Sequence, residues 1–255
     1  MKLAHATWKE VEAYLTRSKG VVVPLGSTEQ HGPNGLIGTD AICATAVAEG
    51  LAERAGALLA PTVQIGVAQF NLGFPGTISA RASTLMALIE DYVRSLARHG
   101  FERIYFMNGH GGNLAPAKAA FQDLYADYSL GRVQGAVRCR IRSWWELPDV
   151  DHMRRELFGE WEGMHATPSE VAITQAVLPG AVGAAKKKPP KKLSAAFLRD
   201  HAGDNHYDAA THRAEFPDGR VGSNPALASA KLGKKLLAAA IGNAVEDYKA
   251  FLEEK

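Results

Sequence analysis

Cysteine is almost missing from this chain. Cys43 and Cys139 are the only two among 255 residues, which leaves neither a disulfide framework nor a thiolate zinc site. Each falls in an apolar run and is expected to be buried and inert. An excess of one charge is missing too. Lys plus Arg total 29 against 27 for Asp plus Glu, a net charge of +2. That balance is too even for a protein whose main task is gripping nucleic acid or an anionic membrane. No apolar run approaches the roughly 20 residues a membrane span needs, and the opening MKLAHATWKEVEAYL has no apolar stretch of the signal-peptide kind. The expectation is a soluble cytoplasmic protein with no membrane and no nucleic-acid partner. What is present is ordinary globular material, 46% hydrophobic and 22% charged, in a chain long enough to bury about 70–75% of its unfolded surface unaided. Neither an internal repeat nor a separating linker is visible, so one domain over 1–255 is expected.

Periodicity organises the chain. Thr7 and Glu10 fit a capping box ahead of Trp8, Val11, Tyr14 and Leu15 at helical spacing. After Gly20, Val21 to Leu25 reads as a short buried strand. A polar loop from Gly26 to Thr39 leads to a helix over Asp40–Arg54. The alternation then repeats: strand Ala57–Ala60, helix Ser83–Arg98, strand Arg103–Met107, helix Leu114–Tyr128, strand Val133–Ile141. Such alternation predicts an α/β three-layer sandwich, a mostly parallel sheet flanked by helices on both faces. Trp144–Pro148 reads as a loop, Pro168 opens a helix to Val177, Leu178–Pro225 is irregular, and an amphipathic helix closes the chain over Leu227–Leu252.

Ligands of parallel sheets bind beyond the carboxyl ends of the strands, and the reactive side chains of this chain collect there. Gly26-Ser27-Thr28-Glu29-Gln30-His31-Gly32-Pro33 follows the first strand, with Asp40 at the next helix start; Asn108-Gly109-His110-Gly111-Gly112-Asn113 follows a later one. Glu29 and His31, two apart, point the same way in extended chain. His165-Ala166-Thr167-Pro168-Ser169-Glu170 brings a third imidazole and carboxylate to a helix start. Each piece has a plain structural reading: a solvated Glu-x-His pair, an N-capping Asp40, a glycine turn. Their coincidence at successive strand-to-helix junctions favours a site. Oxygen and imidazole donors without thiolate suit Zn²⁺, Mn²⁺ or Fe²⁺. Five candidates (Glu29, His31, Asp40, His110 and Glu170) exceed one tetrahedral site but suit two ions sharing a carboxylate. Such a pair lowers the pKa of a water from about 16 towards about 7 and so supplies a hydroxide nucleophile for hydrolysis.

Ser-Thr-Glu-Gln-His-Gly-Pro with the following Gly-Thr-Asp, then Asn-Gly-His-Gly-Gly-Asn, resemble the signatures of the creatininase (creatinine amidohydrolase) family. The similarity extends through Phe74–Ser79, His165–Glu170 and Gly222-Ser223-Asn224-Pro225. The resemblance implies a layered α/β fold, two divalent ions per subunit, hydrolysis of a C–N bond in a small cyclic amide or related substrate, and a homohexamer. It further implies that Glu29, Asp40 and His110 hold one ion, and that His31, Asp40 and Glu170 hold the other. Creatininase has a glutamate ligand two residues after the histidine matching His110, where this chain has Gly112; Glu170 is the substitute the resemblance offers. His165 matches the family's proton-transfer histidine, and with Glu170 it makes up the expected catalytic pair. Trp144 and Trp161 fall where creatininase keeps aromatic residues over its ligand, suited to a flat ring or delocalised cation.

Within such a family, hydrolysis of a formamide-pyrimidine intermediate and trimming of a small modified peptide are the alternatives to a creatinine-like amide. A nucleotide-binding oxidoreductase is a distant alternative, since Gly109 to Leu114 lacks the third glycine of the dinucleotide fingerprint. A metal-stabilised structural subunit without turnover is another. Lys186–Lys192 reads as a solvated loop rather than a nucleic-acid patch, and His201, His206 and His212 show no ligand spacing.

Overall fold

The computed structural model describes residues 1–132, 137–185 and 190–254. Alternation within its strands decides the layers. In β1 (Gly20–Leu25), Val21, Val23 and Leu25 enter one apolar cluster while Val22 enters the other, as the two-residue period of a strand demands. β3 (Arg103–Asn108) repeats the division, with Ile104 and Phe106 on the first face and Tyr105 and Met107 on the second. With β2 (Leu58–Leu59) and β4 (Arg138–Ser143) these strands form one sheet in the order β2-β1-β3-β4, every pair parallel. Residues buried on both faces explain why β1 reads as a continuous apolar run rather than an alternating one.

The helices cover both faces, and the predicted three-layer α/β architecture is what forms. On the first face, Tyr14 of α1 (Trp8–Leu15), Leu85, Ile89 and Val93 of α3 (Ala82–Arg98) and Phe121 and Leu124 of α4 (Leu114–Ser129) pack against the sheet. The second face takes Val47 and Leu51 of α2 (Thr39–Ala55), Val150 and Phe158 of α5 (Pro148–Phe158), Ile173 of α6 (Pro168–Val177), and Leu236 and Tyr248 from a C-terminal helix. Two short helices, α7 (Ala195–Asp200) and α8 (Ala209–Glu215), precede that C-terminal α9 (Ala230–Glu253). Among the described residues no helix is long and apolar enough to cross a membrane.

Three departures from the sequence reading have local causes. Helix α5 lies where no element was predicted beyond a loop to Pro148. Pro148 in its first turn, with Asp149 and Asp151 following, supplies the start that periodicity did not reveal. Helices α7 and α8 lie inside the stretch read as irregular. They are too short to show a period, and their caps carry them: Ser194 Oγ accepts from Phe197 N at 3.1 Å, and Asp208 accepts from Ala210 N and Thr211 N. Asp40 is not an N-cap. Gly38 holds that position, and Asp40 falls in the first turn of α2 with its side chain free for other partners. The predicted capping box of α1 does form, between Thr7 and Glu10. Residues 133–136 of the predicted last strand and 186–189 of the lysine run lie outside the described residues.

Candidate metal centre

Register brings the two motif loops together. Leu25 at the end of β1 pairs with Asn108 at the end of β3, which pairs with Ser143 of β4. The loops carrying Glu29, His31 and His110 therefore leave the same edge of the sheet. Asparagines tie them there: Asn113 Nδ2 donates to Gly26 O at 2.9 Å, and Asn108 Nδ2 donates to His110 O at 2.8 Å. Asp40 enters from the first turn of α2 and Glu170 from the first turn of α6.

Two groups of donors converge with Asp40 in both: Glu29, Asp40 and His110 in one, and His31, Asp40 and Glu170 in the other. A third set, Glu29, His31 and His165, also lies close enough to share a ligand. His110 Nδ1 lies 3.2 Å from Glu29 Oε1 and 3.3 Å from Asp40 Oδ2. His31 Nε2 lies 3.0 Å from Asp40 Oδ1 and 3.7 Å from Glu170 Oε2. The capping box of α6 holds Glu170 in this pose: Oε1 accepts from Thr167 N, which leaves Oε2 toward His31.

Each histidine is also anchored through its other nitrogen. His31 Nδ1 contacts Glu29 O at 3.1 Å, His110 Nε2 contacts Val67 O at 2.9 Å, and His165 Nε2 contacts Gln30 O at 2.6 Å. A carbonyl only accepts, so these nitrogens carry the proton. The opposite nitrogen of each ring then faces carboxylates, the outer-shell arrangement that orients metal-binding imidazoles. Meanwhile Glu29 Oε1 and Oε2 and Asp40 Oδ2 are buried without a hydrogen-bond partner among the described residues. Buried carboxylate oxygens left unpaired are costly. Lone pairs, anionic oxygens and closed second contacts together are what a divalent cation would satisfy, so the donor set fits one.

The same carboxylates favour protons on two of the rings. Burial alone would lower the pKa of His31, but Asp40 and Glu170 outweigh it and raise it well above the ordinary range. Burial likewise opposes, and Glu29 and Asp40 overcome, at His110, which is also raised. Asp40 is held low by these two histidines despite its burial. His165 goes the other way: burial and the neighbouring His31 push it down to about 3, so it stays a neutral imidazole. It sits 4.6 Å from His31, ring centre to ring centre, with Nδ1 3.4 Å from Glu29 Oε1. Its backbone neighbour Ala166 is fully buried with φ 55°, a left-handed conformation that costs an alanine about 1–2 kcal/mol. The capping box on one side and the Ser223 Oγ bond to His165 O on the other hold it there.

Asp40, His110, His165 and Glu170 line a cavity of about 220 Å³, together with Trp144, Trp145, Glu162 and Asp204, while Glu29 and His31 lie behind its wall. Trp144, one of the two aromatics expected over the ligand, borders that cavity with its ring buried in the core. Trp161 is not among the residues lining that cavity; Lys192 Nζ lies 5.3 Å over its ring. Trp145, Glu162 and Asp204 escaped the sequence reading, since nothing in their spacing marks them. Burial pushes Glu162 up to about 7, although Ser169 and Arg154 oppose it. Burial, reinforced by Glu29, Asp40 and Glu170, pushes Asp204 up to about 7. His206 and His212 pack on Phe70 instead, and burial drives them down to about 3 and about 4. Of the lysine run, Lys191 pairs with Glu215 and Lys192 with Glu160.

A parallel sheet with imidazoles and carboxylates gathered past its carboxyl edge has the architecture and donor set of a metal-dependent hydrolase. Comparison with known proteins narrows the class. Residues 4–248 match the family model Creatininase, described as creatinine amidohydrolase, and the chain belongs to the creatininase family. Its relatives include creatinine amidohydrolase of Pseudomonas putida, 32% identical over 69% of this chain and 71% of that one. The mycofactocin precursor peptide peptidase of Mycolicibacterium smegmatis is 36% identical over 62% of each chain, so this match spans less than two thirds of that relative's length. Both relatives are hydrolases that cut C–N bonds. Among solved structures, creatinine amidohydrolase (creatininase) superposes with a TM-score of 0.83 at 25% identity, covering 100% of this chain and 98% of that one. Creatininase structures described as Mn and Zn-Zn forms give TM-scores of 0.80 and 0.79.

Proposed function

We propose that this chain is a binuclear metal-dependent amidohydrolase acting on a small cyclic amide or related C–N bond. In this reading Glu29, Asp40 and His110 hold one divalent ion, and His31, Asp40 and Glu170 hold the other. The observation that carries it is the shared Asp40: one buried carboxylate faces a histidine of each group, while its Oδ2 and both Glu29 oxygens accept no hydrogen bond among the described residues. When bound, the two ions supply a water of lowered pKa as nucleophile and charge to stabilise the developing oxyanion. The solved Zn and Mn forms of creatininase support the choice of metals.

The chain's own groups handle the proton. His165 is neutral, its Nε2–H tied to the Gln30 carbonyl, so Nδ1 is the free base. In this reading it passes a proton from the attacking water to the departing nitrogen as the C–N bond breaks, giving a carboxylic acid and an amine, which settle at neutral pH as carboxylate and ammonium. Such a transfer contributes about 10²–10⁴-fold. Trp144 borders the cavity but is buried in the core, so it shapes the wall that a flat substrate would meet. A second reading, a small modified peptide, is favoured by the 36–40% identity to mycofactocin precursor peptide peptidases.

Metal analysis of protein purified without chelator, followed by turnover of creatinine, cyclic ureides, formamides and short peptides with Zn²⁺ or Mn²⁺, tests both. Two ions per chain and chelator-sensitive hydrolysis are expected. Less than one ion per chain, with activity untouched by chelation, overturns the proposal.

A further inference from the structure

We propose that Asp204 is a fourth protein donor to the ion held by Glu29, Asp40 and His110, an inference that rests on the metal-dependent reading above. Two glycines make the case. At Gly112, where creatininase keeps a glutamate, an added Cβ would collide with Val67 O and lie 2.7 Å from His110 Nε2. Those two atoms form the hydrogen bond that orients the His110 ring, so residue 112 cannot carry a side chain here. At Gly111 the missing side chain is replaced by a foreign one: an added Cβ would collide with Asp204 Oδ2. Asp204 therefore fills the space that opens beside His110.

Its carboxylate stands at the edge of the donor set, on the His110 side. Oδ2 lies 3.7 Å from His110 Nδ1, the nitrogen that also faces Glu29 at 3.2 Å and Asp40 at 3.3 Å. Donors bound to one ion at about 2.0–2.2 Å stand roughly 3–3.6 Å apart; Asp204 approaches that spacing only toward His110 and stands outside the groups whose donors all lie within 4.8 Å of one another, so its side chain has to swing toward Glu29 and Asp40 to join them. Asp204 side-chain oxygens accept no hydrogen bond among the described residues, and its side chain is only 11% exposed. The buried Glu29 and Asp40 oxygens near it, which accept no hydrogen bond among the described residues, call independently for a cation. Its backbone has φ 56°, a left-handed conformation that Asp adopts more readily than most residues. Charge agrees as well. Glu29, Asp40 and Glu170 against two divalent ions leave one positive charge, and a fourth carboxylate cancels it.

The test is Zn²⁺ and Mn²⁺ affinity of the full chain, measured by competition with a chromophoric chelator, for wild type, Asp204→Asn and Asp204→Gly. Asn and Gly both accept a left-handed φ, so the turn persists in each variant; melting of the metal-free forms checks this. Expected is a loss of about 10–100-fold in affinity for one of two ions, the other remaining within twofold. Wild type with two ions and variants whose affinities both stay within twofold would overturn this inference alone. Wild type that takes up no ion would overturn the metal-dependent reading itself, and with it this one.

Discussion

Replacing Asp40 by asparagine separates a shared metal centre from a mere knot of histidines and carboxylates. Asp40 Oδ1 lies 3.0 Å from His31 Nε2 and Oδ2 lies 3.3 Å from His110 Nδ1. Neutralising it takes an anionic donor from both groups at once. With free metal at about 100 times Kd, each bound ion stabilises the folded chain by about 2.7 kcal/mol. Losing both removes about 5 kcal/mol, and at roughly 2–4 °C per kcal/mol for a domain of this size the metal-dependent rise in Tm shrinks by about 10–20 °C. Glu170→Gln should cost about half as much, because Glu170 belongs to one of the two Asp40 groups and glutamine keeps the capping box with Thr167. The assay is thermal unfolding of each chain with chelator and with excess Zn²⁺ or Mn²⁺. Taking the difference between loaded and stripped forms cancels any effect on the metal-free fold. An Asp40→Asn chain that gains as much Tm from metal as wild type refutes the reasoning.

Two further outcomes follow from the charges. Asp40, Glu170 and Glu29 overcome burial to keep His31 and His110 protonated above the usual histidine range. Metal uptake near pH 7 should therefore expel about two protons, and affinity should rise with pH until both imidazoles are neutral. Calorimetry in buffers of different ionisation enthalpy reads the protons directly; none released would contradict the assignment of these rings as ligands. Glu162, raised by burial to about 7, keeps a proton that the unfolded chain gives up near 4.5. Its stabilising contribution is complete below pH 4.5 and fades as pH climbs through 7. Each pH unit between those two values is worth about 1.4 kcal/mol, so Glu162→Gln should gain about 1–3 kcal/mol over wild type between about pH 4 and about pH 8. Urea midpoints at the two pH values check it, and an equal difference at both would sink it.

Much of this was legible before any coordinates. Strand and helix alternation predicted the parallel sheet, since crossover connections bury both faces of its central strands, and β1 reads as apolar along its length. Glu29, His31, Asp40, His110 and Glu170 stood out because each follows a strand or opens a helix. Helices α7 and α8 escaped because such short helices announce themselves by caps rather than period, and α5 because its start is marked only by Pro148 and the acidic residues after it. Trp145 and Asp204 escaped for a different reason: their neighbours in space are far away in sequence.

Taken by itself, then, the sequence determined the type of donor and the local geometry of each. Glu29 and His31 share a face because they are two apart, and Glu170 is posed by its own capping box. Which donors meet was decided only by the tertiary structure. Residues 29, 40 and 110 converge because β1 and β3 end in register, and the chain beyond α7 folds back to lay Asp204 over Gly111. Spacing along a chain fixes direction over a few residues; distance across the molecule depends on packing, which no short window of sequence contains.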